Sequence, residues 1–495
     1  MEVNSESTRG ILGYRHLQCL LLFLAFGLMF ATRVNISIAI VAMMDKKTAN
    51  SNFPEYAWSE RTKSYIFSSF FCGYILLQIP AGGWSRRFGA RLLMLYSIAI
   101  NSLLSLLIPL SVGLGDWPLL CTLRFGQGLA QSVVLPAIAT IMSKWEPIEE
   151  RSAIQTFIYC GSKLGLVVML AVSGKLCSSS WGWPSTFYLP GALGLLLSAL
   201  WFVYGTNTAP DCKHISARGA MNEESLIQIE KEKKKQKEAE STPMTVPWRS
   251  ICTSIPFLVL LANHYAYDWF FWMLLTQMPT YIKNVLGKDI ESNALISALP
   301  YLCLLSLSLL LCPFANWLER SKLLHATVSR KIYNTIGFWI PAISLISLGY
   351  LQRDEADLAI GLLTATVGLS TAIYFGYALN HLDLAPNHAG TLIGIVNCLS
   401  STMGIVAPLV VGFIVTDTSN IYQWRTVFFL SSAIAFVGNL LFLLFGTAKV
   451  QSWNEAPRTR TLSESEQMEQ LFETNSKVII PNVTTYKKYN FPSLP

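Results

Sequence analysis

Charge is scarce in this sequence. Asp, Glu, Lys and Arg make up 14% of its 495 residues, where a soluble globular domain has about a quarter. With 52% hydrophobic residues and a mean hydropathy of +0.41, the chain falls outside the ordinary soluble classes and points to a membrane. Cysteine pairs at ligand spacing are missing too. The ten cysteines include Cys19, Cys72, Cys160, Cys303, Cys312 and Cys398, all inside apolar stretches, so neither a disulfide framework nor a zinc site is indicated. No apolar stretch carries a metal-ligand cluster or a nucleophile beside a base, so no catalytic residue, cofactor, metal or enzyme activity is expected. The net charge of +7 is spread in short basic runs between apolar stretches, the pattern of the positive-inside rule rather than of nucleic-acid binding. The first apolar run, Leu17 to Met44, is too long for the core of a cleaved leader and reads as a first transmembrane helix.

Crossing about 30 Å of hydrocarbon takes roughly 20 helical residues. Apolar runs of that kind lie near 17–43, 63–82, 92–113, 118–142, 153–174 and 184–205, and again near 255–281, 294–316, 331–351, 358–380, 390–415 and 425–446. The expected fold is an all-α membrane protein of twelve transmembrane helices in two pseudo-symmetric six-helix halves. The expected divisions are a cytosolic N-terminus (1–16), the first half (17–205), a charged cytosolic linker (206–253) containing Glu230 to Glu240, the second half (254–446) and a disordered cytosolic tail (447–495). The linker reads as a solvated, salt-bridged helix or as a regulatory or lipid-binding element. Arg9, Arg15, Arg86, Arg87, Arg91, Lys144, Arg151, Arg320, Lys322, Arg330 and Lys331 all fall at the linker side, which marks it as cytosolic. The sequon at Asn35 lies inside a span and that at Asn482 in the tail, so neither is an expected glycosylation site.

Ionisable residues within spans are costly and are functional candidates by default. Arg33 lies about 12 residues before Asp45, or roughly 18 Å of helix, too far to reach the interface. Arg124, Gln127 and Gln131 follow i, i+3, i+7 spacing and share one face of the fourth span. Gly126, Gly128, Ala130 and Ser132 let neighbouring helices come close there. Lys163 adds a cation in the fifth span. In the seventh, His264, Tyr267 and Asp268 share a face, and Asp268 is the one carboxylate placed mid-span. Arg33, Arg124 and Lys163 against Asp268 leave surplus positive charge, which an anionic substrate would complete. The alternative for each arginine is a structural role on backbone carbonyls. For Gln127 and Gln131 it is interhelical hydrogen bonding, for Lys163 pairing with Asp268, and for His264 either a satisfied bundle histidine or a proton relay.

Several segments then carry a resemblance. The basic stretch GGWSRRFGAR after the second span and the six-plus-six layout resemble the major facilitator superfamily, although Arg86 stands where that signature usually has Asp. RVNISIAIV from Arg33, SSFFCGYILLQIPAGG, LPAIATIMSKWEPIEERS, NHYAYDWFFWMLLTQMPTYI and NHLDLAPNHAGTLIGIVN are similar to its anion:cation symporter branch. That branch includes type-I sodium-dependent phosphate cotransporters, sialin and the vesicular glutamate transporters, and the resemblance runs over about residues 14–453. It implies the major facilitator fold, alternating access, and anion binding by Arg33 and Arg124. It also matches His264 and Tyr267 to sialin. Gln127 and Gln131 stand where sialin has glutamates, Phe67 where the glutamate carriers have histidine, and Tyr267 where they have arginine. The Arg-x-x-Gln-Gly-x-x-Gln pattern is closest to the phosphate and organic-anion members, including insect inorganic phosphate cotransporters. The expectation is therefore a sodium-dependent inorganic phosphate cotransporter, its small anionic substrate bound by Arg33, Arg124, Gln127, Gln131, Lys163, His264 and Tyr267. The coupling ion is expected to be sodium or a proton acting through Asp268, His264 and Asn35, in a lipid bilayer. An organic-anion carrier, an anion channel and a non-transporting receptor are the alternatives.

Overall fold

The computed structural model describes residues 14–45, 50–145, 148–207, 246–321 and 323–454. The expected N-terminal segment to residue 13, linker residues 208–245 and tail residues 455–495 lie outside the described residues. The first half contains α1 (Tyr14–Met43), α2 (Glu60–Phe88), α3 (Ala90–Gln131), α4 (Val134–Trp145), α5 (Ile148–Ser178) and α6 (Ser185–Tyr204). The second contains α7 (Ile255–Asn284), α8 (Ile290–Ser321), α9 (Ala326–Leu348) and α10 (Ala356–Leu369), followed by α11 (Ala389–Ser400), α12 (Met403–Ile414) and α13 (Ile421–Phe445).

Among the described residues, nine helical stretches are long and apolar enough to cross a bilayer. One of these, Ala90–Ser143, holds 54 residues, about twice what a crossing needs, and makes two passes. It bends at Gly115 and Asp116, where Asp116 takes φ 52°. Pro118 follows at once, and the Asp116 carboxylate accepts a 2.7 Å hydrogen bond from Trp58 Nε1. α7 and α9 complete the twelve. They are long enough to span but diluted by polar residues, Asn263, His264 and Asp268 in α7 and Arg330, Lys331 and Asn334 in α9. The protein is thus an all-helical membrane protein with twelve transmembrane helices in two pseudo-symmetric halves.

Glycine sets the tightest helix crossings. A Cβ on Gly128 would lie 1.9 Å from the Phe70 carbonyl oxygen and one on Gly73 2.1 Å from that of Phe125, so α2 and α3 touch backbone to backbone. Gly27, Gly161 and Gly165 do the same for α1 and α5. Buried polar side chains tie each half. In the second, Asn334 Nδ2 donates to Asn263 and Asn439, each at 2.9 Å, and its oxygen accepts from the Tyr377 amide.

Two passes depart from regular α-helical pairing. The tenth changes after α10 into tighter turns over Ser370–Phe375 and Tyr377–Leu379 around Gly376. The eleventh stays right-handed helical through Ser401 and Thr402, but its hydrogen bonding tightens there between α11 and α12. Residues 447–454, assigned from sequence to a disordered tail, instead fold back. Gln451 N donates to the Leu384 carbonyl, and Asn454 bonds twice to Asn387. These bonds satisfy backbone groups that would otherwise be left unpaired near the bundle end.

The halves meet unevenly. Lys63 on α2 donates to Thr280 Oγ1 on α7 at 3.0 Å, and Lys283 pairs with Asp45 at 2.8 Å. Ser68 donates to the Ile405 carbonyl, and Gly174 of α5 abuts Ile290 and Ala294 of α8. All of these lie in the part of the bundle away from the linker. The structure is closed at that end.

Candidate functional site

Below this closure, between the halves, lies a cavity of about 230 Å³. On α1 the i, i+4, i+7 spacing aims Phe26, Phe30 and Arg33 at it. The Arg33 guanidinium donates through Nε (3.2 Å) and Nη2 (2.9 Å) to one oxygen, Gln131 Oε1. The rings of Phe30, Phe70 and Tyr74 lie 4.8, 4.9 and 4.8 Å from it, with Trp272 of the other half at 5.8 Å. Aromatic faces stabilise a cation by their quadrupole, yet no carboxylate among the described residues forms an ion pair with Arg33.

Gln131 is the hub behind it. Its amide nitrogen donates to Met29 O, Thr32 Oγ1 and Asn101 Oδ1, which fixes the amide orientation so that its oxygen faces Arg33. Asn101 in turn donates to Thr32. Sequence reasoning missed Asn101, although an Asn inside an apolar run was a signal.

Arg124 and Gln127 stand behind the wall, and neither is among the cavity-lining residues. Arg124 is 2% exposed. It donates to the carbonyls of Thr32 and Arg33 at 3.1 and 3.2 Å and to Gln127 Oε1 at 3.2 Å. A guanidinium clamped on two successive carbonyls of α1 and buried behind the wall positions Arg33 and does not face the cavity. Of the two arginines expected to bind the anion, the structure thus brings only Arg33 to the cavity, and Gln127, expected beside them, lies against Arg124. Asn35, expected in the ion-coupling set, does not line the cavity either. It is fully buried away from the cavity, and its amide donates to the Thr186 carbonyl of α6 at 3.0 Å.

Across the cavity, Lys163 of α5 has its ammonium 5.1 Å from the centre of the Phe271 ring and 5.5 Å from that of Tyr374. Tyr267 and Tyr374 share a 2.8 Å hydroxyl–hydroxyl bond. His264 packs edge-on to Tyr377 at 4.5 Å, and its buried Nε2 has no hydrogen-bond partner among the described residues. Asp268 completes this wall with Asn397 and Ser401 of the eleventh pass. The cavity therefore brings together Arg33, Gln131, Lys163, His264, Tyr267 and Asp268 from the expected set. It adds Tyr74, Trp272, Tyr374 and Ser401, whose residue types do not stand out in apolar helices, and Asn397, which like Asn101 is an amide inside an apolar run.

Comparison with known proteins gives the family. The profile of the Major Facilitator Superfamily matches residues 21–408. A Drosophila melanogaster protein named "Putative inorganic phosphate cotransporter" is 32% identical over 465 residues, 89% of this chain and 86% of that one. Human sialin is 32% identical over 460 residues, 89% of this chain and 90% of its own. Vesicular glutamate transporter 1 of Xenopus tropicalis is 31% identical, covering 90% and 77%. Among solved structures, a D-xylose–proton symporter superposes with a TM-score of 0.64 at 15% identity, covering 88% of this chain and 98% of that one. An inward-facing bacterial homologue of the lysosomal transporter Spinster gives 0.63 at 13%, covering 87% and 96%. The chain is a membrane transporter, not an enzyme, and belongs to the major facilitator superfamily, in the branch with sialin and the phosphate and vesicular glutamate transporters.

Proposed function

We propose that the protein carries a small singly charged organic anion, such as a carboxylate, by alternating access, with Arg33 as its principal contact. The observation that carries this reading is the Arg33 guanidinium, facing the cavity with only a neutral amide oxygen and aromatic rings around it. The charges lining the cavity are Arg33 and Lys163 against Asp268, so a monoanion balances them. Nine of the twenty lining residues are Phe, Tyr or Trp, a surface suited to the apolar body of an organic anion, since carbon faces offer hydrated phosphate oxygens few donors. The closed end opposite the linker and the cavity beneath it fit an inward-facing stage of the cycle, with the linker and both chain ends in the cytosol. Moving one negative charge across 100 mV is worth about 2.3 kcal/mol, so the membrane potential alone is a sufficient driver of export.

Sodium-coupled uptake of inorganic phosphate is the second reading, favoured by the name of the Drosophila relative. Counterflow separates the two. Proteoliposomes preloaded with an unlabelled anion are given the same anion labelled outside, using phosphate and a series of monocarboxylates in turn. Saturable exchange of carboxylates, abolished in Arg33→Gln, is the expected result. Exchange of phosphate alone moves the protein to the second reading, and flux that survives Arg33→Gln refutes the site.

A further inference from the structure

Both cations that line the cavity belong to the first half, and each lies over rings of the second. Arg33 of α1 has its guanidinium 5.8 Å from the centre of the Trp272 ring of α7. Lys163 of α5 has its ammonium 5.1 Å from the ring centre of Phe271, the neighbouring residue, and 5.5 Å from that of Tyr374. At these separations a ring quadrupole attracts a cation. Phe271 and Trp272 are both buried and meet edge to face at 5.0 Å, so a single step of α7 receives both charges. Among the described residues neither cation is in an ion pair, with Asp268 or with any other carboxylate.

The rings are themselves held. Trp272 packs edge-on at 4.5 Å against Phe71 of α2, and Gly404 of α12 approaches Phe71 so closely that a Cβ there would lie 2.5 Å from its ring. Phe271 packs edge-on at 5.9 Å against Tyr301 of α8, and Tyr374 is tied by its hydroxyl to Tyr267. The Lys63–Thr280 contact that closes the bundle stands further along α7, roughly 12 Å of helix beyond Trp272. The cation contacts thus lie at the inner edge of that closure. Rocking that opens this end draws α7 away from α1 and α2, and the cations then exchange rings for water. The attraction also depends on charge. An anion bound to Arg33 cancels much of the field that reaches the Trp272 ring, and an anion drawn to Lys163 does the same at Phe271 and Tyr374. The contacts are therefore strongest when the cavity is empty. Packing of carbon against carbon also holds the halves together, but it does not distinguish an empty cavity from a loaded one.

We infer that Phe271 and Trp272, by holding Lys163 and Arg33, keep the unloaded carrier closed at the end away from the linker, so that the loaded carrier changes state faster than the empty one. The two rings are positioning residues that set the ratio of anion exchange to net anion flux. The inference rests on the carrier reading, but closure itself is measurable without transport.

The test uses full-length protein in proteoliposomes, with Ser68→Cys as the reporter, since Ser68 lies at the closure and bonds to Ile405 O. Modification of residue 68 by a membrane-impermeant thiol reagent applied at that end is followed by peptide mass, with phosphate and carboxylates left out of the buffer. Phe271→Leu and Lys163→Met, each alone, are expected to raise the rate by roughly five- to thirtyfold. The double variant is expected to raise it no further, because both changes remove the same contact. Trp272→Leu and Arg33→Gln form a second cycle with the same expectation, and Phe271→Tyr, which keeps a ring, is expected to stay near wild type. Effects that multiply in the double variants, or an equal rise in Phe271→Tyr, would mean loosened packing and overturn the inference. An unchanged rate in monodisperse Phe271→Leu overturns it too. Labelled phosphate and monocarboxylates are then followed on the same preparations in counterflow and in net efflux. The ratio of net efflux to counterflow is expected to rise roughly fivefold or more in Phe271→Leu, and an unchanged ratio beside a raised thiol rate overturns the slow return of the empty carrier. Absence of counterflow with every anion in wild type overturns the carrier reading, while the thiol rates still decide whether the cations hold the end shut.

Discussion

Thr280→Val should open the end of the carrier that lies away from the linker. Lys63 is 1% exposed; it pairs with Glu60 on its own helix and donates to Thr280 Oγ1 across the interface. Valine keeps the shape of threonine and deletes the acceptor. A hydrogen bond to a charged group is worth about 1.5–3 kcal/mol. In the alternative state the separated Lys63 meets water whether residue 280 is Thr or Val, so the whole loss falls on the closed state. At 1.4 kcal/mol per decade, the equilibrium should move toward the state open at that end by roughly ten- to 150-fold. Ser68 sits just beneath this closure, bonded to Ile405 O. In a Ser68→Cys background, modification of residue 68 by a membrane-impermeant thiol reagent, followed by peptide mass, should accelerate by about an order of magnitude or more. An unchanged rate in a monodisperse Thr280→Val protein would show that the Lys63 contact does not hold the end shut.

Arg124→Lys should weaken anion binding by an order of magnitude or more without unfolding the bundle, because an ammonium cannot span two adjacent carbonyls as the guanidinium does; ligand-dependent thermal shift reads this out, and unchanged affinity refutes the brace. Gly165→Ala should destabilise by about 1–3 kcal/mol or more, since its Cβ would meet Gly27 O at 2.0 Å. Gly83→Ala, with nothing within 4 Å, should leave the melting temperature unchanged or slightly raised. Asn334→Leu should cost about 1–3 kcal/mol for each polar group it orphans, among them Asn263 Oδ1, Asn439 Oδ1 and the Tyr377 amide, visible as a lower melting temperature.

Transmembrane segments are legible because lipid leaves the chain few choices: every backbone polar group must be paired internally, so apolar length alone announces a helix. The twelve passes, the two halves, and Arg33, Lys163, His264, Tyr267 and Asp268 as polar intrusions needed nothing more. Aromatic residues are different. Tyr74, Trp272 and Tyr374 are indistinguishable in sequence from the other rings in an apolar chain, and only helix rotation shows that they face the cavity.

Residue order alone identifies which side chains could not face lipid, since a charge or amide in hydrocarbon is costly wherever the chain goes. Helix packing sets what each of them faces instead. Arg33 and Arg124 look alike as buried arginines. One meets the cavity and the other grips the backbone of α1, because helix crossings set by Gly73 and Gly128 bring Arg124 within reach of Thr32 O and Arg33 O. Asn35 and Asn397 carry the same amide, yet α6 supplies a carbonyl to the first while the second lines the cavity. Partners that lie 90 or 150 residues away in the chain leave no local pattern, and it is the packing of helices that assigns them.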